Sequence, residues 1–163
     1  DQETHEEIKA AYRTHWREIE TQVEPFDGSR NFLDALRRRG VRLAVATGKS
    51  RRGLNVQLDS TGFRPLFAAS RTPTECLGKP NPQMVTEILS ELGVDQQNAL
   101  FLGDARLDMQ MARNAGVTPV GVGWGAEPTS NLHEGGAERC VGSWKEAWEY
   151  ISQHYQFPLE EST

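Results

Sequence analysis

Short apolar segments alternate with amphipathic helical segments through most of this 163-residue chain. The apolar runs predict strands at 41–46, 66–70, 99–102 and 118–123. The first of them, V-R-L-A-V-A, is dense enough in apolar residues for a strand that is buried on both faces. Strands that alternate with helices favour a parallel sheet, because parallel neighbours need a crossover connection. The chain is therefore predicted to be an α/β protein.

Helical periodicity and end signals define the segments between the strands. Helices are predicted at 4–22, from Phe32 through Leu36 to an end at Gly40, at 50–61, 82–92 and 106–115, and after Ser143. Thr4 with Glu7, and Ser143 with Glu146, form capping-box patterns at two of the helix starts. Because helix 4–22 precedes the alternation, it is assigned to a separate helical element.

Composition argues against several classes of partner. The chain has 18 Lys and Arg against 23 Asp and Glu, a net charge of −5, whereas nucleic-acid-binding proteins are usually basic, so no nucleic acid is expected. No stretch approaches the roughly 18 apolar residues of a membrane span, so no membrane partner is expected. The two cysteines, Cys76 and Cys140, lack metal-type spacing, which favours a reduced, cytoplasmic setting. No sequence feature indicates an oligomeric state.

A candidate phosphate-binding pattern follows the strand 41–46. The strand ends in Thr47-Gly48-Lys49-Ser50, and a helix begins directly afterwards. A hydroxyl, a glycine N–H and a helix N-terminus can together hold an anion. The same residues also fit a plain strand end with Ser50 as the helix cap, so the pattern alone leaves both interpretations open.

Charged residues lie near two further helix starts. Asp104 and Asp108 follow the strand 99–102 at a spacing that can offer carboxylate oxygens to Mg²⁺, or can cap the next helix. Lys79 lies in G-K-P-N-P before another helix, where its ammonium can neutralise a phosphate or a carboxylate. Ligands of open parallel sheets bind beyond the carboxyl ends of the strands, so all three residues are candidate site residues.

Taken in order, these motifs resemble those of the haloacid dehalogenase superfamily. Thr47 matches the second motif of that family, Lys79 the third, and Asp104 with Asp108 the fourth. The strings L-A-V-A-T-G-K-S-R-R-G-L and F-L-G-D-A-R-L-D-M-Q-M-A-R-N-A-G resemble the phosphoglycolate phosphatase-like branch. The resemblance covers about residues 10–150.

The resemblance implies a Rossmann-like, three-layer α/β fold with a parallel sheet and part of a helical cap. Residues 1–24 would be the C-terminal part of the cap, 25–157 the core domain, and 158–163 a loose tail. Because cap residues usually select the substrate in this superfamily, the sequence leaves the physiological substrate open.

The resemblance also implies a Mg²⁺-dependent phosphatase that acts on a small phosphorylated metabolite, such as phosphoglycolate or a sugar phosphate, through an aspartyl-phosphate intermediate. Thr47 and the N–H of Gly48 would hold phosphate oxygens, and Lys79 would neutralise charge on the phosphate and the nucleophile. Asp104 would ligate the metal, while Asp108 would ligate it or orient its water. A phosphomutase or a phosphonate hydrolase shares these motifs and remains an alternative.

The first motif of the family, D-x-D-G-T at the end of its first strand, is absent from this sequence. The nearest string, Pro25 to Ser29, has proline at the nucleophile position and no apolar strand before it. In the family that first strand lies between the strands that are here 41–46 and 99–102. The chain is therefore expected to be the C-terminal portion of a longer protein and to be inactive alone. The alternative is a catalytically inactive binding or regulatory protein on the same fold.

The segment G-V-G-W-G-A at 121–126 formally fits a dinucleotide-binding fingerprint after a strand. That fingerprint requires a helix that opens within the loop, and Pro128 indicates that the next helix starts later. A dinucleotide site is therefore not expected. The resemblance implies that this loop borders the active site, with Trp124 near the site or covering the core.

Overall fold

The computed structural model describes residues 24–154, which form two parallel sheets with helices on both faces. The strands are β1 (Ala44–Ala46), β2 (Ala69–Arg71), β3 (Leu100–Gly103), β4 (Thr118–Val122) and β5 (Arg139–Val141). The helices are α1 (Ser29–Arg38), α2 (Arg51–Thr61), α3 (Gln83–Leu92), α4 (Arg106–Asn114), α5 (Thr129–Gly135) and α6 (Trp144–His154). Short 3₁₀ helices at Arg64–Leu66 and Gln96–Asn98 precede β2 and β3.

All the strand pairs in this range are parallel. β1 pairs with β2 in one sheet, and β3, β4 and β5 form the other sheet with β4 in the middle. β1 and β3 do not pair with each other, so each has one hydrogen-bonding edge without a strand neighbour among residues 24–154. The predicted α/β class with parallel pairing is confirmed, and the open edges of β1 and β3 define a gap between the sheets.

Apolar clusters on the two faces join the sheets across this gap. On one face, a buried cluster from α3 and α4 packs against Ala46 of β1 and Phe101 of β3; it contains Met84, Val85, Met111, Ala112, Ala115 and Val117. On the other face, α1 and α6 pack with Leu43, just before β1, and with Val120 of β4. The sheets therefore lie side by side between two layers of helices although their facing strands do not pair.

Most predicted elements lie within a few residues of the observed ones, and the differences fall in short segments. The strand predicted at 66–70 is misplaced: Arg64–Leu66 forms a 3₁₀ helix that has Pro65 in its first turn, and β2 begins only at Ala69. β1 is half-buried rather than buried on both faces, since only one of its edges has a strand neighbour. β5 was not predicted, because three residues carry no readable alternation.

The predicted cap of α6 is confirmed. The hydroxyl of Ser143 accepts a hydrogen bond from the N–H of Glu146 at 3.2 Å, and the Glu146 carboxylate accepts one from the N–H of Gly142 at 2.8 Å. The predicted helix 4–22 and the tail 158–163 lie outside the described residues. No helix within residues 24–154 is long and apolar enough to cross a membrane.

Replacing Met111 by alanine should lower the free energy of unfolding of the natural protein by about 2–5 kcal/mol. Met111 is inaccessible to solvent in the cluster between α3 and α4, so the shorter side chain leaves a cavity. Leu107→Ala, on the same helix but 46% exposed, is the control and should change stability by no more than about 0.5 kcal/mol. Urea unfolding of both variants measures the difference, and equal losses would contradict the packing described.

Candidate active site

Thr47 and Gly48 lie directly after β1 and before α2. The Thr47 N–H donates to the carbonyl of Arg71 at 3.2 Å, which continues the pairing of β1 with β2 by one residue. The Thr47 hydroxyl oxygen accepts from the N–H of Lys49 at 3.2 Å. Neither the hydroxyl hydrogen of Thr47 nor the N–H of Gly48 has an acceptor among the described residues. Two hydrogen-bond donors are thus available to an anion at the end of β1.

The helix that follows these donors begins as the sequence predicts. Ser50 is its N-cap, and the Ser50 hydroxyl accepts from the N–H of Gly53 at 3.1 Å. The interpretation of Ser50 as a cap is therefore confirmed. This cap is compatible with an anion site at the same helix start. The Ser50 hydroxyl bonds to the N–H of Gly53, and the N–H of Gly48 is left without an acceptor among the described residues.

Lys79 lies in the loop between β2 and α3, and its ammonium forms an ion pair with Oδ1 of Asp108. Both side chains are largely removed from water, with 17% of Lys79 and 7% of Asp108 exposed. The ammonium also lies 5.8 Å from the ring centre of Phe101 on β3. This loop follows the carboxyl end of β2. The ion pair therefore links the carboxyl end of the β1–β2 sheet to the carboxyl end of β3 in the other sheet.

Both carboxylate oxygens of Asp108 are bonded within the protein. Oδ1 pairs with Lys79, and Oδ2 accepts from the N–H groups of Asp104 and Ala105 at 3.1 and 3.2 Å. A Cβ on Gly103 would lie 2.8 Å from this Oδ2, so only glycine fits beside the carboxylate. Asp108 therefore fixes the start of α4, and its role toward a metal stays a prediction.

Asp104 keeps one carboxylate oxygen free. Its Oδ2 accepts from the N–H of Ala126 at 3.0 Å, and its Oδ1 has no donor within residues 24–154. No group of three or more His, Cys, Asp and Glu side chains suited to a metal occurs in the same range. Mg²⁺ is usually held by only one or two carboxylates, with waters and phosphate oxygens completing the shell. Asp104 therefore fits such a site as one ligand among several.

The predicted site residues fall into two groups on opposite sides of the gap. Lys79, Asp104 and Asp108 form one bonded network at the end of β3. Thr47 and Gly48 lie at the end of β1, and no described contact joins them to that network. The strands that carry the two groups are held by one apolar cluster, which includes Ala46 and Phe101. The candidate residues thus flank the gap between β1 and β3.

Arg51 and Glu75 form a link that was not predicted between the start of α2 and the loop that carries Lys79. The Arg51 guanidinium donates to the hydroxyl and the carbonyl of Ser70 at 2.7 and 3.0 Å and pairs with Glu75. Glu75 also accepts from the hydroxyl and the N–H of Thr72 at 2.7 and 3.1 Å. Partial burial opposes ionisation of Glu75, but the hydrogen bonds from Arg51 and Thr72 outweigh it and lower the pKa of the carboxyl.

Comparison with known proteins supports the class of protein that this site suggests. Residues 1–122 match the sequence profile of the haloacid dehalogenase-like hydrolases. The match covers well over half of the chain, so the chain belongs to the haloacid dehalogenase-like hydrolase family. The predicted family is confirmed. A solved haloacid dehalogenase family hydrolase from Deinococcus radiodurans has the same fold, with a TM-score of 0.79 and 24% identity over 87% of this chain and 65% of that one.

Two curated relatives show which enzymes of the family this chain resembles in sequence. The chain is 32% identical to a phosphoglycolate phosphatase of Pseudomonas putida over 124 residues, which are 74% of this chain and 44% of that protein. It is 34% identical to a phosphonoacetaldehyde hydrolase of Bacillus cereus over 103 residues, which are 60% of this chain and 38% of that protein. The chain spans less than half the length of both relatives.

Replacing Glu75 by glutamine should remove stability that depends on pH. Since the folded-state pKa of Glu75 is lowered, its ionised form stabilises the fold above the unfolded-state pKa of about 4.3, and this contribution disappears as the pH falls through the folded-state value. Wild type should therefore be more stable than Glu75→Gln at pH 7, with a difference that shrinks below about pH 4.

Thermal unfolding between pH 3 and pH 7 measures this difference. Glu149→Gln is the control. The Oε1 atom of the exposed Glu149 lies 3.9 Å from Nζ of Lys145, and exposed ion pairs of this kind contribute little to stability. A difference between wild type and Glu75→Gln that does not change with pH would contradict the assignment.

Proposed function

We propose that this chain is part of a Mg²⁺-dependent phosphatase that hydrolyses a small phosphorylated metabolite, such as phosphoglycolate or a sugar phosphate. The observation that carries the proposal is the placement of three kinds of group at the strand ends that flank the gap: hydrogen-bond donors on Thr47 and Gly48 and an oxygen of Asp104 that have no partner among residues 24–154, and the ammonium of Lys79. The similarity to a phosphoglycolate phosphatase supports it. The cytoplasmic location stays a prediction.

The donors after β1 bind the phosphate in this proposal. The hydroxyl of Thr47 and the N–H of Gly48 donate to two phosphate oxygens, and the positive end of the α2 dipole favours the anion. Across the gap, Lys79 neutralises charge on the phosphate and on the attacking carboxylate. Asp108 holds the ammonium in place, so the positive charge is set before the substrate arrives.

The nucleophile is proposed to lie outside the given sequence, on a strand that fills the gap. Two observations support this placement: within the described part of the chain β1 and β3 each have an edge without a strand partner, and apolar clusters cover both faces of the gap. An aspartate on such a strand attacks phosphorus and forms an acyl phosphate while the phosphoester P–O bond breaks. An acid protonates the leaving oxygen, and water then hydrolyses the acyl phosphate to phosphate and the free carboxylate.

Asp104 would hold Mg²⁺ through Oδ1, while Asp108 would ligate it or orient its water. When bound, the ion offsets the repulsion between an anionic nucleophile and the phosphate. The chain's own contribution is an Oδ1 atom of Asp104, at the end of β3, that accepts no hydrogen bond from residues 24–154. Asp104 is half-buried there, so a small number of fixed contacts can orient it.

A phosphonate hydrolase is the second candidate, because the chain is 34% identical to a phosphonoacetaldehyde hydrolase. The two reactions differ in the bond that is cleaved, P–O in a phosphate ester and P–C in a phosphonate.

The natural full-length protein should release phosphate from p-nitrophenyl phosphate and phosphoglycolate, but not from phosphonoacetaldehyde. The reverse result would favour the second candidate, and no Mg²⁺-dependent release from any of them would favour a phosphomutase or a non-catalytic protein.

The same proposal predicts unequal effects of the two aspartates in the full-length protein. Asp104→Asn should abolish most Mg²⁺-dependent turnover, because it alters the free oxygen that would bind the ion. Asp108→Asn should weaken Mg²⁺ affinity or activity by about 10–100-fold, the usual cost of disturbing a group that orients a ligand. Initial rates over a Mg²⁺ titration measure both. Near-normal rates and metal affinity in Asp104→Asn, with a larger loss in Asp108→Asn, would overturn the assignment.

A further inference from the structure

The loop after β4, residues 123–127, wraps around Asp104. The N–H of Ala126 donates to Oδ2 of Asp104 at 3.0 Å, and the N–H of Glu127 donates to the backbone carbonyl of Asp104 at 3.1 Å. The loop therefore holds both the side chain and the backbone of this residue. Ala126 belongs to the segment 121–126 that formally fits a dinucleotide fingerprint, and Glu127 follows it directly.

Gly125 allows the loop to approach Asp104 this closely. A Cβ on Gly125 would lie 2.7 Å from Oδ2 of Asp104 and would overlap the Cβ of Asp104. Its φ is not in the left-handed region, so the requirement for glycine is one of space alone. Any side chain at this position must displace either the loop or the carboxylate.

Glu127 ties the loop to the start of α4. Its Oε2 accepts from the N–H of Arg106, the first residue of α4, at 3.2 Å, and from the side-chain amide of Asn131 at 3.1 Å. A carboxylate at a helix N-terminus is also favoured by the helix dipole. Glu127 thus fixes the loop on one side of Asp104 to the helix on the other side.

The first half of the loop is fixed by the core. The N–H of Gly123 donates to the carbonyl of Val141 at 2.9 Å, and the ring of Trp124 packs edge-on against Trp144 with 4.6 Å between centroids. Trp144 is held in turn by a 2.7 Å hydrogen bond from its Nε1 to the carbonyl of Asp27. The loop is therefore anchored independently of any ligand.

We propose that loop 123–127 is a positioning element, in which Gly125 and Glu127 orient Asp104 so that its Oδ1 is presented to the divalent cation. The inference rests on the proposed function, in which Asp104 is a ligand of Mg²⁺. Mg²⁺ requires near-ideal octahedral geometry, so a small rotation of a ligating carboxylate is costly. Groups that orient a ligand typically contribute about 10–100-fold to metal affinity.

The first test compares two glycine variants of the natural full-length protein. Gly125→Ala should raise the dissociation constant for Mg²⁺, measured by isothermal titration calorimetry without substrate, by about 10-fold or more. Gly142→Ala is the control, since a Cβ there would meet only ordinary contacts at 3.4 Å and its φ is not left-handed. It should leave the dissociation constant within about twofold of wild type.

The second test separates positioning from a merely structural role and does not depend on Gly125→Ala folding. Glu127→Ala removes the acceptor for Arg106 and Asn131 and should raise the Mg²⁺ dissociation constant by about 10-fold. Glu127→Gln retains an acceptor oxygen and should restore binding to within about threefold of wild type. A purely structural role would lower the melting temperature of Glu127→Ala and leave the Mg²⁺ dissociation constant of the folded protein unchanged.

Two outcomes overturn the inference, and they can be told apart. If the unaltered protein binds Mg²⁺ and hydrolyses p-nitrophenyl phosphate, while the Glu127→Ala variant and any folded Gly125→Ala variant bind Mg²⁺ as tightly as wild type, the loop does not position Asp104 and the proposed function stands. If the unaltered protein neither binds Mg²⁺ nor hydrolyses the ester, the inference and the proposed function both fail.

Discussion

The carboxylate of Asp108 accepts hydrogen bonds from two directions, and only 7% of this side chain is exposed to water. Lys79 reaches it from the loop after β2, and the amides of Asp104 and Ala105 reach it from the end of β3. A buried carboxylate is tolerated only when such partners replace its hydration. Together with the apolar clusters on the two faces, this interaction joins the loop after β2 to the end of β3 and fixes Lys79 beside Asp108.

The arrangement separates two tasks that a pair of aspartates can perform. Asp108 is bonded within the protein through both carboxylate oxygens, whereas Asp104 is bonded through one oxygen only among residues 24–154. One carboxylate therefore stabilises the geometry, and the other has an oxygen available for a ligand. The same division holds across the gap, where Ser50 caps α2 while Thr47 and Gly48 each keep a donor that finds no acceptor in the described range.

The positions of several candidate-site residues in the fold could be predicted from the sequence, and the reasons are local. Thr47, Lys79 and Asp104 each follow a strand or precede a helix whose end signals are readable within a few residues, so their placement near strand ends followed from the pattern. Arg51 was not among the candidate residues. Its contacts with Ser70 and Glu75 join positions 19 and 24 residues away, and no spacing rule connects such distant residues.

The short strands also could not be predicted accurately from local sequence patterns. β5 and β2 have three residues each and are stabilised by their neighbours in the sheet rather than by any pattern of their own. For loop 123–127, the family resemblance implied a position at the border of the active site, and the sequence argued against a dinucleotide site, but neither could show which residue the loop touches. In the structure Gly125 is needed because the loop touches Asp104, a contact between strand ends that are adjacent only in the folded sheet.

By itself, the sequence determined the α/β class, the parallel pairing, the helix ends and the candidates for chemistry, because periodicity and capping are set by neighbours within one or two turns of the chain. Only the tertiary structure decided, for residues 24–154, which of the two aspartates keeps an oxygen without a donor, which glycine is required for space, and that β1 and β3 are not paired with each other. Those features depend on contacts between residues far apart in the chain, whose hydrogen bonds and packing exist only when the sheets and helices are assembled.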